Sequence, residues 1–214
     1  VTTRFPGEDG PVTIVEDVSL SVRPGETLAV VGESGSGKTM TFLSAIGLVP
    51  PPGRVVSGQV LLGGTDLLKL GPEGLRRHRG AGLSMVFQDP LTGLNPVFTL
   101  GEQIVEVLRA HGPMDRREGR RRAVELLERV QIPSAASRVD DYPHQLSSGM
   151  RQRVLIAMAI ALEPKVLIAD EPTTALDVTV QAQVMELLQA LRDETGMAMV
   201  LITHDLGLVA RHAD

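Results

Sequence analysis

The sequence predicts an α/β fold: a mostly parallel sheet covered by helices on both faces, with an N-terminal antiparallel β subdomain and an inserted helical subdomain. Three observations carry this. Short apolar runs at 27–31, 83–88, 166–170 and 197–203 alternate with segments of helical periodicity, the pattern of buried parallel strands. The first of these runs opens into a glycine-rich loop followed by a helix. The stretch 89–145 has helical periodicity and no convincing strand. With 214 residues, 43% hydrophobic and 22% charged, the chain suits one large domain or a core with a smaller lobe, not a disordered segment.

Taken in order, residues 1–12 read as a loop or a short edge element, and 14–22 (IVEDVSLSV) alternates as a strand would. RPGE at 23–26 is a turn with proline at its second position. TLAVV at 27–31 is a buried strand, and the helix that follows its loop runs to the stop at Pro50-Pro51-Pro52. A short hairpin is expected within 57–68 and a brief helix at 72–78, then a strand at 83–88 and a Pro/Gly/Asn-rich loop at 89–98. Helices are expected near 99–111, 115–130 and 134–139, with Leu126, Leu127 and Val130 as helix core. The core resumes with a helix at 147–161, a strand at 166–170, a helix at 178–194 and a strand at 197–203, and the chain reaches Asp214 as another helix begins.

Composition excludes several chemistries. There is no cysteine, which removes disulfides, thiolate nucleophiles and Cys-ligated zinc. The formal charge of -5 does not support a strongly basic surface, so no nucleic-acid partner is expected. No run of eighteen apolar residues spans a membrane, and the N-terminus lacks a signal-peptide pattern. The arginine-rich run 116–122 is interleaved with acid and lacks aromatic neighbours, so it reads as a solvated helix face. Lys38, Lys69 and Lys165 are the only lysines.

Gly32-Glu33-Ser34-Gly35-Ser36-Gly37-Lys38-Thr39 matches G-x-x-x-x-G-K-[ST] between a strand and a helix, the mark of a P-loop NTPase core. Glycines let the backbone wrap phosphates closely with its N–H groups pointing inward. The helix N-terminus adds its free amides and positive dipole end. Lys38 is placed to reach the β- and γ-phosphates of ATP, and the Thr39 hydroxyl to ligand Mg²⁺. An ordinary Gly/Ser turn would need the lysine, the hydroxyl and the flanking strand all to be coincidences.

The apolar run 166–169 ends in Asp170-Glu171. Asp170 is expected in the Mg²⁺ shell, and Glu171 as the group that polarises the attacking water. Gln88 closes the strand 83–87, from where its side chain can reach the metal or the water. His204 follows the strand 197–203, within reach of the γ-phosphate. Asp177 lies in the turn after the acidic pair; on spacing alone, Gln88 and Asp177 read as structural before catalytic.

The order of these features resembles the ABC-type ATPases. The matching segments are GESGSGKT at 32–39, VFQDP at 86–90, LSSGMRQRV at 146–154, VLIADEPTTALD at 166–177 and LITHD at 201–205. QDPLTGLNPVFTLGEQI at 88–104 and YPHQLSSGMRQRV at 142–154 are similar to the ATP-binding subunits of dipeptide, oligopeptide and nickel importers. The resemblance implies a core formed by 1–88 and 146–214, with 89–145 as the inserted helical subdomain. It implies a head-to-tail pair of such domains, in which Ser147 and Gly149 contact the γ-phosphate held by the partner's loop. It implies Gln88 and His204 as coupling glutamine and switch histidine, Asp177 as a residue communicating across the dimer, and Phe5 as the aromatic that stacks on adenine.

Membrane-embedded permease subunits and, indirectly, a solute-binding protein are the further partners it implies, with the chain peripheral on the cytoplasmic face of the cell membrane. Relatives of this kind extend past the switch histidine, so a C-terminal region is expected beyond residue 214. One departure stands out: Ser148 replaces the first glycine of the usual Leu-Ser-Gly-Gly. A Cβ there is expected to crowd the partner nucleotide or to disfavour a glycine-type backbone, reducing hydrolysis. Two alternatives stay open: a non-transport ATPase of the same family acting in DNA repair, chromosome organisation or translation, and a weakly hydrolysing regulatory partner.

Overall fold

A computed structural model describes residues 1–88, 93–174 and 176–214. In chain order its strands are β1 (Thr2–Phe5), β2 (Val12–Val15), β3 (Thr27–Val31), β4 (Arg54–Ser57), β5 (Leu61–Leu62), β6 (Thr65–Asp66), β7 (Leu83–Val86), β8 (Val166–Asp170) and β9 (Ala198–Thr203). Its α-helices are α1 (Lys38–Ala45), α2 (Pro72–His78), α3 (Leu100–Arg109), α4 (Arg116–Arg129), α5 (Ala135–Arg138), α6 (Ser148–Ile160), α7 (Val178–Thr195) and α8 (Leu206–His212).

The core is a parallel sheet in the order β3-β9-β8-β7. Side chains alternate across it, as the period of two requires. Ile168, Val200 and Ile202 pack on one face with Phe42 and Ile46 from the first helix and its cap. Leu167, Ala169, Met199 and Leu201 pack on the other with Ile156, Met185 and Leu188 of α6 and α7. Both faces are covered, which explains why the strands read as unbroken apolar runs.

The expected N-terminal antiparallel subdomain is present, in the order β2-β1-β4, but its strands differ from those expected. Residues 2–5, read as loop or edge, form the central strand, because β4 pairs on the side opposite β2. The strand expected at 14–22 ends at Val15. Asp17 turns into the left-handed region (φ 45°) and its amide bonds the Thr2 hydroxyl, so the chain leaves the sheet there. The 57–68 hairpin is β5–β6, closed by Gly63 and Gly64, both at positive φ as a tight two-residue turn demands.

Within 93–145 the regular elements are helical. Thr99 and Glu102 form a reciprocal capping box on α3, and the Asp115 carboxylate caps α4. Leu126, Leu127 and Val130 are buried as expected, in one cluster with Ile104 and with Leu167 and Met199 of the sheet. The helical lobe therefore shares the core's apolar interior. Residues 89–92, the start of the expected insertion and part of the VFQDP match, lie outside the described residues, as does Ala175.

Candidate functional site

The phosphate loop, Gln88, Asp170, Glu171 and His204 sit at the carboxyl ends of the parallel strands, where open α/β sheets place their ligand crevice. β3 delivers the glycine-rich loop, β7 delivers Gln88, β8 delivers Asp170 and Glu171, and β9 delivers His204.

In the loop, Gly37 caps α1 with φ 89°, a conformation that disfavours any side chain, and a Cβ there would stand 2.9 Å from the Ile14 carbonyl oxygen. That contact sets the N-terminal sheet directly against the loop. Lys38 Nζ donates to the carbonyls of Gly32 (2.6 Å) and Glu33 (2.7 Å). Both partners are neutral, so the ammonium charge stays available to an anion.

Thr39 Oγ1 donates to Asp170 Oδ2 at 2.8 Å. Asp170 is 2% exposed, and burial pushes its carboxyl above the usual aspartate range, with the Glu171 charge adding to this and the Thr39 bond and Lys38 opposing it. A buried carboxylate beside a hydroxyl, both hard oxygen donors, is the kind of site that a Mg²⁺ ion relieves.

Glu171 follows the end of β8 with its backbone in the left-handed region (φ 44°), held by its amide bonding the Ile202 carbonyl at 2.9 Å. Its Oε2 accepts hydrogen bonds from Gln88 Nε2 (2.9 Å) and Thr174 Oγ1 (2.9 Å), and His204 Nδ1 lies 3.4 Å away. Gln88, Glu171 and His204 thus meet at one point, as expected from their strand ends. The Glu171 side chain is 14% exposed and that of His204 is 66% exposed, so the acid is sheltered and the imidazole open to an incoming group. Thr174 was not anticipated. Its signal lies in Pro172, which favours the second position of a turn and so brings the fourth residue back over the first.

The second group of residues lies at the start of α6. Ser147 caps that helix, accepting from the Met150 amide at 3.3 Å, as its residue type suggested. Gly149 is buried, and a Cβ there would stand 2.5 Å from Val180 Cγ1. Ser148 is the first residue of α6, exposed and right-handed helical. The expected glycine-type backbone at Ser148 is therefore not present; the glycine requirement nearby is one of space, at Gly149, where α7 packs. Among the described residues no hydrogen bond joins Ser147 or Gly149 to the phosphate loop.

Asp177 accepts from the amides of Thr179 (3.1 Å) and Val180 (3.0 Å), capping α7, in line with the structural reading of its spacing. Phe5 lies in β1 with its ring over Gly53, where a Cβ would come within 2.3 Å of it. The arginine-rich α4 pairs Arg121 with Glu118 and Glu125, and Arg120 with Asp140 across to the segment after α5, consistent with a solvated face. Among the described residues, no helix is long and apolar enough to cross a membrane, and no cluster of three or more His, Cys, Asp or Glu side chains is arranged to hold a metal.

Comparison with known proteins gives the family and the fold. The family described as ABC transporter matches residues 15–174. A Brucella abortus (strain 2308) protein, provisionally named a peptide import ATP-binding protein, is 56% identical over all 214 residues. The dipeptide transport ATP-binding protein DppD of Escherichia coli (strain K12) is 51% identical over 213 residues, again 100% of this chain. The chain spans 64% and 65% of the length of these two relatives. Among solved structures, the dimeric bacterial ABC transporter cassette MJ0796 superposes with a TM-score of 0.85 and 31% identity, covering 100% of this chain and 89% of that one. A post-hydrolysis state of the same cassette, bound to ADP and Pi, gives 0.83 and 30%, covering 97% and 87%.

Proposed function

The chain belongs to the ABC transporter family, and from that premise we propose that it is the ATP-binding and ATP-hydrolysing part of a subunit that powers an importer of di- or oligopeptides. The observation that carries the hydrolytic reading is the meeting of Gln88, Glu171 and His204 beside Thr39 and Asp170, at the strand ends next to a complete phosphate loop.

In this reading Gly32, Glu33, Ser34, Gly35, Ser36 and Gly37 wrap the phosphates with backbone amides, and Lys38 swings from the loop carbonyls onto the β- and γ-phosphate oxygens. Thr39 and Asp170, with Gln88, would hold Mg²⁺, which would supply charge neutralisation at the phosphates. Glu171 accepts a proton from the water that attacks the γ-phosphorus as the bond from that phosphorus to the β–γ bridging oxygen breaks and ADP leaves with the electron pair, and His204 contacts the γ-phosphate from the open side. Phe5 offers the adenine a face. Ser147 and Gly149, at the N-terminal end of α6 with its positive dipole end, are suited to the γ-phosphate bound by a second copy or a paralogue, head to tail.

The importer assignment rests on the 51–56% identity to peptide-import ATP-binding proteins. Permease subunits would dock on the helical lobe, 89–145, placing the chain peripherally on the cytoplasmic face of the membrane, with a solute-binding protein as an indirect partner. The test is uptake of a labelled dipeptide by cells lacking the gene. Restoration by the wild-type gene and not by Lys38→Ala supports the reading; equal restoration by both overturns it.

A further inference from the structure

We infer that Thr174 is a positioning residue for hydrolysis, holding the Glu171 carboxylate by one oxygen so that the other is presented to the attacking water; this rests on the hydrolytic reading of the site given above. Thr174 Oγ1 donates to Glu171 Oε2 at 2.9 Å, and the Thr174 amide donates to the Glu171 carbonyl at 3.1 Å. The two residues are the ends of one turn, Glu171-Pro172-Thr173-Thr174, so backbone and side chain lock the same pair.

The geometry around the carboxylate is asymmetric. Gln88 Nε2 and Thr174 Oγ1 both donate to Oε2, and His204 Nδ1 faces that same oxygen. Among the described residues no donor is placed on Oε1. A carboxylate held this way cannot rotate without breaking bonds at Oε2, and its free oxygen keeps a fixed direction. Proton abstraction depends steeply on such placement, because misplacement of about 1 Å costs on the order of a hundredfold in rate.

Of the groups around Oε2, Thr174 is the one tied to Glu171 through the local backbone. Gln88 arrives from β7 and His204 from the end of β9, and His204 is largely exposed. When an incoming phosphate draws Gln88 and His204 away, the Thr174 bond is the one the turn preserves. The left-handed backbone of Glu171 serves the same end: it turns the acid out of the β8 line and back over Thr174.

The test is a comparison of Thr174→Val, which keeps the shape and removes the hydroxyl, with Thr174→Ser, which keeps the hydroxyl. Steady-state hydrolysis, equilibrium binding of a fluorescent ATP analogue and the melting temperature are measured on the full-length protein. Thr174→Val is expected to lower kcat about tenfold or more, the scale of one hydrogen bond to a charged group, with analogue affinity and melting temperature near wild type. Thr174→Ser is expected to restore most of the rate. Wild-type turnover in Thr174→Val, a Thr174→Ser variant as slow as the valine one, or a fall in affinity or melting temperature that accounts for the lost rate would each overturn the inference. If instead the wild type binds no analogue and releases no phosphate, the hydrolytic reading itself has failed, and the two failures are distinguished.

Discussion

Thr39 Oγ1 and Asp170 Oδ2 lie 2.8 Å apart, although one residue lies in the first turn of the first helix and the other closes a strand far along the chain. The bond fixes the phosphate loop against the acidic strand end. It also leaves a carboxylate buried with a hydroxyl as its direct hydrogen-bond partner, a cost that the binding of a cation relieves.

Asp170→Asn should therefore separate stability from function. Replacing the buried, hard-to-ionise acid by a neutral amide is expected to raise the melting temperature of the nucleotide-free protein at neutral pH. The same change should weaken Mg²⁺-dependent nucleotide binding by about tenfold or more, since an anionic ligand is lost. Thr39→Ser keeps the hydroxyl and should bind nearly as wild type. Calorimetry and nucleotide titration with and without Mg²⁺ check both halves.

Gly149 and Val180 give a second prediction. A methyl group at Gly149 meets Val180 Cγ1 at 2.5 Å, so Gly149→Ala should destabilise by about 1–3 kcal/mol through overpacking between α6 and α7. Val180→Ala should recover part of that loss in the double variant, which denaturant unfolding of the four proteins reads directly.

For Ser148→Gly, no gain in ATP turnover is expected. Ser148 is exposed and already helical, so the change removes no strain and adds backbone freedom at the first position of α6. A cost of up to about 0.5–1 kcal/mol in stability is the expected effect. A rise in hydrolysis would show instead that the serine crowds a nucleotide held by the partner.

The pH dependence of folding should show His212. Burial holds its imidazole below the ordinary histidine range, Arg211 and Arg192 add to this, and Glu186 opposes them; its Nδ1 is buried with no hydrogen-bond partner among the described residues. The folded protein then binds the His212 proton more weakly than the unfolded chain. Its contribution to stability is complete above the unfolded value of about 6.5, falls as pH drops through that value, and levels off below the folded one. His212→Gln should flatten this part of the melting-temperature profile between pH 7 and 5.

Much of this was legible in the sequence, and for a common reason. The strands β8 and β9 are buried almost throughout and β3 in part, so their apolar runs mark them, and the segments that follow their carboxyl ends mark the site: Lys38 and Thr39 after the loop from β3, Asp170 and Glu171 at the end of β8, and His204 after β9. The N-terminal sheet was legible as antiparallel but not in its strands. Its residues are half-exposed, and whether β1 is an edge or a centre depends on β4, which arrives fifty residues later. For Ser148 only the expected backbone strain fails, because spacing along a motif does not reveal that the position is an ordinary first residue of a helix. Thr174 was missed because its role is a side-chain bond across one turn, which leaves no periodicity to read.

The central claim is that Glu171 performs the chemistry and Lys38 the binding. The most direct measurement is phosphate release and equilibrium ATP binding on one preparation of full-length Glu171→Gln. The account predicts nucleotide affinity near wild type with turnover reduced about a hundredfold or more, the scale on which a general base contributes. Turnover at the wild-type rate in that variant would contradict it.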